Sequence, residues 1–304
     1  MEISMYVARL PLTIGMACAN DYQGVYFTTL ALRMYHSLEP DDEIIVIDNT
    51  PDSEDGKLTK NFIEQNIPNG RYISYTAKKS TAVREQIFIE ASNPYVVCLD
   101  CHVLLWPNAV ARLKKYFEEH KDSQDLLQGP MLHDNFQNPC THLDPVWRHA
   151  MYGVWGNDRR GFDENSEPFE IPMQGLGVFA STKKAWPGFS PYFQGFGCEE
   201  WYIGEKFRWN GGKVLCLPFL RWTHRFNRPG GHSTGSTAED KVWNYAVAFR
   251  EFGADPTPMI DHFGEFHPPR EKWQALTDHC YRHLAAVEES IRSRERFYST
   301  VYST

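Results

Sequence analysis

The sequence predicts an α/β fold with a Rossmann-like, mostly parallel central sheet flanked by helices and a helical extension at the C-terminal end. Three apolar runs, at residues 12–18, 42–48 and 95–99, indicate strands that are buried on both faces. Stretches with helical spacing separate these runs, and strands that alternate with helices favour a parallel sheet. The 304 residues suffice for one large α/β domain, with or without an appendage.

The first half of the chain alternates regularly between strands and helices. The second strand ends in the polar turn NTPDSEDG, the third strand ends at Asp100, and a helix follows Pro107. The other elements predicted here are helices at 24–37, 57–66, 81–92 and 108–120 and a strand at 71–75.

The second half is less regular. Residues 133–170 are rich in His, Asn, Asp, Trp and Pro, and their weak periodicity predicts long loops. The small polar stretch at 228–240 predicts a mobile loop. The remaining predicted elements are helices at 199–209, 239–252 and 270–294 and a strand at 214–220.

Composition excludes several classes of protein. The 31 basic and 39 acidic residues give a net charge of -8, which argues against a surface built to coat nucleic acid or anionic membrane. Seven scattered cysteines favour a reducing compartment over a disulfide framework. No signal peptide is recognisable and no run of 18 apolar residues occurs. We therefore expect a cytoplasmic protein without a membrane anchor.

Polar residues lie where the predicted strands end, which is where open parallel sheets bind ligands. The sharpest group is Asp100-Cys101-His102, directly after a buried strand. A carboxylate and an imidazole two residues apart can face one ion, and oxygen with nitrogen ligation suits Mn²⁺ or a similar cation. The alternative is a strand-end Asp that caps the next turn beside an incidental His.

Two blocks of the sequence resemble the catalytic domain of the polypeptide N-acetylgalactosaminyltransferases, a retaining family with the GT-A fold. LDCH is similar to the Asp-X-His metal motif of that family. PMQGLGVFASTKKAW, followed by FGCEEWYIGEKFRWNGGKVLCLPFLRWTHRF, is similar to its second signature. The matching residues are Gly177, Phe179, Lys183, Lys184, Gly197, Glu199, Gly211, Gly212, His224 and Phe226. The resemblance covers residues 12–226 and implies a GT-A glycosyltransferase domain at 1–235, followed by the helical extension at 236–304.

The resemblance implies a metal site and a nucleotide site. Asp100, His102 and His224 would hold Mn²⁺, or Mg²⁺, which would bridge the two phosphates of a UDP-sugar and stabilise the leaving diphosphate. Asp48 would hydrogen-bond uracil or ribose, and Arg84 would hold nucleotide or phosphate. Three of these residues have a structural alternative. Asp48 would be a turn-starting Asp, Arg84 a solvated residue on a helix face, and His224 a histidine satisfied by a hydrogen bond at a strand end.

Further contacts follow from the same resemblance. Ala17 would contact the base through its backbone. Trp222 and Arg225 would pack over the nucleotide or the leaving phosphate, although core packing accounts for Trp222 equally well. Gly175 and Gly177 would let backbone amides approach the donor sugar, because a Cβ would block that approach.

The acidic pair at the start of the helix at 199–209 would line the sugar pocket. Glu199 matches the signature glutamate that binds or orients sugar hydroxyls. Glu200 takes the position of the family's Asn and Phe196 that of its Trp, so this sequence departs from the family where the donor sugar is recognised.

The function implied is metal-dependent transfer of a hexose or N-acetylhexosamine from a UDP-sugar to an acceptor hydroxyl, with retention. The acceptor would be protein Ser/Thr, a glycan or a modified nucleobase in DNA, and the enzyme would be of bacterial or phage type. An inverting GT-A enzyme, with Glu199 or Glu200 as base, is the nearest alternative. A non-catalytic nucleotide-sugar-binding protein is another. A nucleotidyltransferase would need a basic Gly-rich loop, which CANDYQG does not supply. The loop at 228–240 would be a lid over the donor or an ordinary linker.

Overall fold

The computed structural model describes residues 10–77, 80–133, 135–226 and 236–301, of which 293–301 are described as helical backbone only. Most of the loop predicted at 228–240 therefore lies outside the described residues. The strands are β1 (Leu12–Cys18), β2 (Glu43–Asp48), β3 (Gly70–Ser74), β4 (Tyr95–Asp100), β5 (Val103–Leu105), β6 (Leu126–Gln128), β7 (Met131–Leu132), β8 (His142–Arg148), β9 (Met151–Gly156), β10 (Phe169–Glu170), β11 (Val178–Thr182), β12 (Val214–Cys216) and β13 (Trp222–His224). The helices are α1 (Tyr22–Tyr35), α2 (Glu54–Asn66), α3 (Glu85–Glu90), α4 (Ala109–Glu119), α5 (Glu199–Trp209), α6 (Ala238–Phe252), α7 (Thr257–Phe266) and α8 (Arg270–Val301).

A central sheet of eight strands organises the described part of the chain. Its order is β10-β12-β6-β11-β4-β1-β2-β3. The strands β4, β1, β2 and β3 are parallel, whereas β11 runs antiparallel between β4 and β6. The predicted α/β class with a mostly parallel sheet is confirmed. A small sheet, β5-β13-β7, lies beyond the carboxyl-terminal end of β4 and carries part of the candidate site.

Alternating side chains divide the core between the two faces of the sheet. In β2, Ile44 and Val46 join one apolar cluster, and Ile45 and Ile47 join the other. This is the period-two pattern of a strand buried on both faces. Helices α1 and α4 pack on the first face, and α3, α5 and the C-terminal helices pack on the second.

Short polar side chains fix the start of three helices, α1, α2 and α6. Asp21 caps α1 and Ser53 caps α2, in each case by accepting a hydrogen bond from a backbone N–H three residues on. Thr237 and Asp240 form a capping box at the start of α6. These caps explain why the helices begin where they do, a few residues before the apolar periodicity becomes visible.

The prediction of long loops over residues 133–170 is wrong in part. The segment contains the antiparallel hairpin β8–β9, whose register shifts between Asp144 and Trp147. Because this bulge and Pro145 interrupt the alternation of polar and apolar residues, the strand pattern is hidden in the sequence. Trp147 of the hairpin packs against the second core cluster, and Trp155 lies beside Gly175.

The predicted strand at 214–220 is also too long. Strand β12 ends at Cys216, because Pro218 follows and the chain then turns into β13. The C-terminal extension contains three helices rather than the two predicted, with α7 between them. Their apolar residues belong to the same cluster as α5 and the sheet. Among the described residues, no helix combines the length and the apolar character that a membrane span requires.

Candidate active site

Three candidate metal ligands lie at the carboxyl-terminal end of β4. Asp100 is the last residue of β4, His102 lies in the turn before β5, and His224 ends β13, where it pairs with Val103 of β5. One ligand atom from each of the three lies within 4.8 Å of the other two. Residues 122 positions apart in sequence are thus brought to one point by the antiparallel pairing of β13 with β5.

Asp100 is held in its ionised form by its neighbours. Its Oδ1 accepts a hydrogen bond from Nη2 of Arg84 at 2.5 Å, and its Oδ2 lies 3.5 Å from Nε2 of His224. Burial raises the pKa of Asp100, but the charge of Arg84 and the hydrogen bond from His224 outweigh burial and bring the pKa well below its usual range. A carboxylate that stays ionised while buried is a suitable metal ligand.

Arg84 contacts a candidate metal ligand, and its role in holding nucleotide or phosphate stays a prediction. Besides its contact with Asp100, its Nη1 donates to the carbonyl of Thr81, while its Nε is buried with no hydrogen-bond partner among the described residues. The guanidinium thus orients the candidate ligand Asp100, and one donor is left over for a further acceptor.

The predicted nucleotide residues lie beside the metal ligands. Ala17 of β1 lies between Ile47 and Asp100 of the neighbouring strands and is partly buried. Asp48 ends β2, and its carboxylate accepts hydrogen bonds from the hydroxyl of Tyr72 at 2.8 Å and from the backbone N–H of Thr50 at 2.7 Å. A base or ribose at Asp48 would share the carboxylate with these two donors.

Trp222 is placed as a core residue. Its side chain is 1% exposed, and its Nε1 donates to the carbonyl of Gly129 at 2.8 Å. The indole also fills the space beside Gly177, where a Cβ would lie 2.5 Å from the ring. These contacts are those of a residue packed in the core, which is the alternative stated for Trp222. The absence of a side chain at Gly177 makes space for its indole. Arg225 is exposed, and its backbone N–H donates to the carbonyl of His102 at 3.2 Å.

Gly175 likewise faces a ring rather than open space. A Cβ at this position would lie 2.8 Å from the indole of Trp155, which belongs to β9 and is 38% exposed. Within the protein, the groups that a Cβ at position 175 or 177 would meet first are tryptophan rings, and the approach of the donor sugar to these two glycines stays a prediction.

The acidic pair begins helix α5. Cys198 before it adopts a left-handed conformation with φ of 79°, which turns the chain into the helix. Glu199 is 1% exposed, and its Oε2 accepts from the backbone N–H of Gly197 at 2.7 Å, whereas its Oε1 is buried with no partner among the described residues. Burial, and then the charge of Glu200, raise the pKa of Glu199 to about 8. Burial also raises the pKa of Glu200.

No sequence motif assigns a role to two residues near this centre, Asp21 and Lys241. Asp21 accepts a hydrogen bond from His102, and the only sequence signal for it was its place just after the first strand. Lys241 of α6 lies near Glu199 and Glu200, its ammonium 5.5 Å from the ring centre of Phe196. It gives no signal in the sequence because it reaches the site from the C-terminal helices.

Comparison with known proteins gives a family and a fold. The family model described as glycosyl transferase family 2 matches residues 13–171, more than half of the chain. No curated protein sequence matches the chain.

Three solved structures share the architecture. GalNAc-T7 with UDP, GalNAc and Mn²⁺ has 16% sequence identity and a TM-score of 0.63, over 87% of this chain and 55% of that one. TarS 1–349 from S. aureus, in complex with UDP-GlcNAc, has 12% identity and a TM-score of 0.54, over 84% and 71%. The mannosyltransferase PcManGT from Pyrobaculum calidifontis, with GDP-Man and Mn²⁺, has 13% identity and a TM-score of 0.51, over 90% and 75%.

The chain thus spans about half the length of GalNAc-T7, and identities this low establish the fold alone. That fold is the GT-A fold which the two sequence blocks predict. Together with the family match over more than half of the residues, it shows that the chain belongs to glycosyl transferase family 2 and is a glycosyltransferase.

Proposed function

We propose that this glycosyltransferase moves a hexose or N-acetylhexosamine from a UDP-sugar to an acceptor hydroxyl, and that a divalent cation, Mn²⁺ or Mg²⁺, is needed. The observation that carries the proposal is the convergence of Asp100, His102 and His224 within 4.8 Å. A binding module has little use for a metal site at the point where a diphosphate leaves, so the same observation speaks against a non-catalytic role.

The three side chains fit such an ion. One carboxylate oxygen and two imidazoles form a mixed oxygen and nitrogen set, which suits Mn²⁺ better than a purely oxygen-seeking cation. Nδ1 of His224 is also buried and has no hydrogen-bond partner among the described residues. When bound, the ion would stabilise the negative charge of the leaving diphosphate.

The residues around the ligands would bind and orient the donor. Arg84 keeps the Asp100 carboxylate ionised and oriented. Asp48 lies at the same edge of the sheet at the end of β2, which β1 separates from β4, and would bind the uracil or ribose. Ala17 lies between these strands and would contribute backbone only. The structures of GalNAc-T7 with UDP and of TarS with UDP-GlcNAc support a uridine nucleotide, although PcManGT was solved with GDP-Man.

The sugar would face the start of α5. Glu199 has one buried oxygen without a partner, which would accept a hydrogen bond from a sugar hydroxyl. Glu200 and Lys241 lie beside it with opposite charges. This arrangement supplies both acceptors and a donor for ring substituents, as a polyhydroxylated hexose requires.

We propose retention of the anomeric configuration, as the family resemblance implies. The acceptor hydroxyl would then attack on the face from which the diphosphate departs, and the leaving phosphate would take the acceptor proton. No side chain would be needed as a nucleophile.

One observation supports the alternative, which is an inverting mechanism. Two glutamates, Glu199 and Glu200, lie close to the metal ligands, and either would be a base on the opposite face of the sugar. Proton NMR of the first product formed separates the two mechanisms, because retention from an α-linked donor gives an α-linked product and inversion gives a β-linked one.

For the acceptor we propose protein Ser/Thr, a glycan or a modified nucleobase, in an enzyme of bacterial or phage type. The net charge of -8 favours the first two over DNA. All seven cysteines are buried, and no disulfide joins them, which supports the proposal of a reducing, cytoplasmic compartment.

A donor screen tests the proposed function. The purified chain is incubated with UDP-glucose, UDP-galactose, UDP-GlcNAc, UDP-GalNAc and GDP-mannose, and nucleotide release is measured with Mn²⁺, with Mg²⁺ and with EDTA. We expect metal-dependent release from at least one UDP-sugar, which His224→Gln abolishes. Release that persists in EDTA, or from GDP-mannose only, would contradict the proposal.

A further inference from the structure

We propose that Asp21 is a positioning residue that fixes the orientation and the tautomer of His102, so that this histidine is prepared to bind the metal. The inference rests on the proposed metal site. It adds to that site a residue from the start of α1, 81 positions before the histidine it would orient.

The central contact is a hydrogen bond between the two side chains. Nδ1 of His102 lies 2.9 Å from Oδ2 of Asp21. The other carboxylate oxygen, Oδ1, accepts from the backbone N–H of Gly24 at 3.0 Å, so Asp21 is also the N-cap of α1. The cap fixes the carboxylate relative to the helix, and the carboxylate in turn fixes the ring.

Helix α1 also holds the backbone of the turn that carries His102. The hydroxyl of Thr28, about two turns along the helix from Asp21, lies 2.9 Å from the carbonyl oxygens of both Cys101 and Val103. Gly24 allows the close approach, because a Cβ there would lie 2.7 Å from the carbonyl of Cys101. The helix therefore braces the turn on both sides of the histidine while Asp21 holds the ring itself.

The hydrogen bond determines which nitrogen can bind a cation. A carboxylate accepts, so the neutral ring carries its proton on Nδ1, and the lone pair lies on Nε2. Ligation would then use Nε2, with Asp21 as the outer partner. Metal-binding histidines commonly donate their second N–H to a carboxylate in this way, and loss of that partner typically weakens metal binding by about 10- to 100-fold.

Asp21, Cys101 and His102 also form a triad compact enough to hold a metal of their own. Two observations indicate that these three side chains are joined by hydrogen bonds and do not hold an ion. Both oxygens of Asp21 already accept from a donor, and the Cys101 thiol lies 3.6 Å from Oδ2 as a further donor. The same ring nitrogen, Nδ1, would have to leave Asp21 to reach an ion there. The number of ions bound tells the two apart.

The variant Asp21→Asn tests the inference with little change in shape. Its carbonyl oxygen can still accept from Gly24, which preserves the cap, while its amide NH₂ then faces Nδ1. A donor in that place favours the tautomer with the proton on Nε2, which removes the lone pair from the ligating nitrogen. Asp55→Asn is the matched control. Asp55 accepts from the backbone N–H of Tyr22 at the same helix start, at 3.2 Å, and has no hydrogen bond to His102 among the described residues.

Two measurements are made on the full chain. Calorimetry with Mn²⁺ in the presence of UDP should give one ion per wild-type chain, about 10- to 100-fold weaker binding for Asp21→Asn, and unchanged binding for Asp55→Asn. Long-range ¹H–¹⁵N NMR of the metal-free chain, with His102 assigned by comparison with His102→Gln, should show the proton on Nδ1 in the wild type and on Nε2 in Asp21→Asn.

The outcomes separate the inference from the function on which it rests. If the wild type binds no Mn²⁺, the proposed metal site is wrong. If the wild type and Asp21→Asn bind one ion with equal affinity, or if the tautomer is the same in both, Asp21 does not position His102. Binding of two ions, one of them lost in Asp21→Asn, would show instead that Asp21 is itself a ligand.

Discussion

The two sides of the candidate site differ in how their polar groups are supported. On the first side, which we call the metal edge, Asp100, His102 and His224 are the ligands, and Arg84 and Asp21 are hydrogen-bonded to the first two. On the second side, which we call the acidic pocket and define as Glu199, Glu200 and Lys241, support is sparse. One oxygen of Glu199 is buried without a partner, and the described hydrogen bond of the Lys241 ammonium goes to the thioether of Met151.

Because of this difference, we expect the two sides to bind their ligands in different ways. At the metal edge the protein holds Asp100 and the ring of His102, so these two ligands are ready before anything binds and lose little freedom when it does, while Nδ1 of His224 has no partner among the described residues. In the acidic pocket the unpartnered atom is a carboxyl oxygen, and a buried group without a partner costs about 1–3 kcal/mol of folding free energy. A sugar hydroxyl that completed the missing bond would recover that cost. We therefore expect substitutions at the metal edge to remove activity, and substitutions in the acidic pocket to lower activity while they raise stability.

The largest effect is expected at the metal edge, from Asp100→Asn. The substitution removes a negative charge from the ligand set and leaves the buried guanidinium of Arg84 without a counter-charge. Loss of charge stabilisation at a reacting centre typically costs about 10²- to 10³-fold in rate. The measurement is kcat/KM for UDP release at saturating Mn²⁺, alongside calorimetric binding of Mn²⁺ with UDP.

A matched control exists on the surface. Asp158 and Arg160 form a similar carboxylate–guanidinium pair at 2.7 Å, but the Arg160 side chain is largely exposed. Asp158→Asn should leave kcat/KM unchanged. An Asp100→Asn enzyme that retained more than about a tenth of the activity would contradict the metal role of this carboxylate.

The next effect, from Glu199→Gln, shows the contrast most directly. Because Glu199 has a pKa of about 8 when folded and an ordinary value of 4.5, the folded chain binds a proton more tightly than the unfolded chain. The wild type is therefore destabilised as pH rises from 4.5 to 8, and the penalty is complete above that window. The neutral amide avoids this penalty. We expect Glu199→Gln to melt at a higher temperature than the wild type at pH 9 and at a similar one near pH 5.

The size of this change and its control can be stated. A difference of about 1 kcal/mol moves the melting temperature of a domain of this size by about 2 °C or more. Thermal melts at pH 5, 7 and 9 measure it, and transfer activity should fall in the same variant because the sugar loses an acceptor. Glu205→Gln, on the same helix but paired with Arg208, should show no such pH-dependent gain. A gain that is the same at every pH would remove the charge explanation.

The metal edge is also the part of the site that the sequence predicts best. Asp100 and His102 follow a buried strand whose apolar run is plain, and the ends of parallel strands meet at one edge of the sheet. His224 is predicted only through the family resemblance, because its approach depends on the pairing of β13 with β5. Short-range patterning therefore accounts for two of the ligands, and tertiary pairing for the third.

The acidic pocket is predicted in part. Glu199 and Glu200 stand in a recognisable block at a helix start, but Lys241 arrives from helix α6, and nothing in its local pattern marks it. The hairpin that brings Trp155 against Gly175 is likewise hidden, since a bulge and Pro145 disrupt its alternation. Such contacts depend on how distant segments pack, which periodicity does not encode.

The two glycines Gly175 and Gly177 offer a third test, because the tryptophan rings that they contact differ in exposure. In Gly177→Ala the new Cβ would lie 2.5 Å from the indole of Trp222, which is buried and tethered to Gly129. Overpacking of this kind typically costs about 1–3 kcal/mol. In Gly175→Ala the neighbour is the indole of Trp155, which is 38% exposed and free to shift toward solvent. Urea unfolding should show a clear loss for Gly177→Ala and a smaller one for Gly175→Ala.

An equal loss in the two variants would contradict the view that Gly177 adjoins a buried ring that cannot yield and Gly175 a partly exposed ring that can. The KM and the activity of the folded variants distinguish the two positions further. Gly175→Ala should change the KM for the donor or acceptor more than its stability, because the hairpin indole borders the site, whereas Gly177→Ala should lose activity only to the extent that it unfolds.

The smallest effect is expected from Lys241→Met. Methionine keeps a long apolar stem against Gly197 and Phe196 but removes the ammonium. Burial lowers the pKa of Lys241, so the loss of this half-buried charge should leave the melting temperature unchanged or slightly higher. The charge of Lys241 acts to lower the pKa of Glu200, so without it that pKa should rise. Any limb of the pH–rate profile that depends on ionised Glu200 should move to higher pH, by less than about one unit.

The control for this shift is Lys206→Met on α5. Lys206 forms an ion pair with Glu251 at 2.8 Å, and its ammonium lies over the ring of Tyr202, as that of Lys241 lies over the ring of Phe196. Its removal should leave the pH–rate profile in place. If Lys241→Met also leaves the profile in place, then the ammonium does not act on the acidic pair, and the C-terminal helices contribute packing alone. A shift of the pH–rate profile in Lys241→Met but not in Lys206→Met would show that α6 contributes a functional residue to the acidic pocket. The metal edge, by contrast, contains no residue of α6.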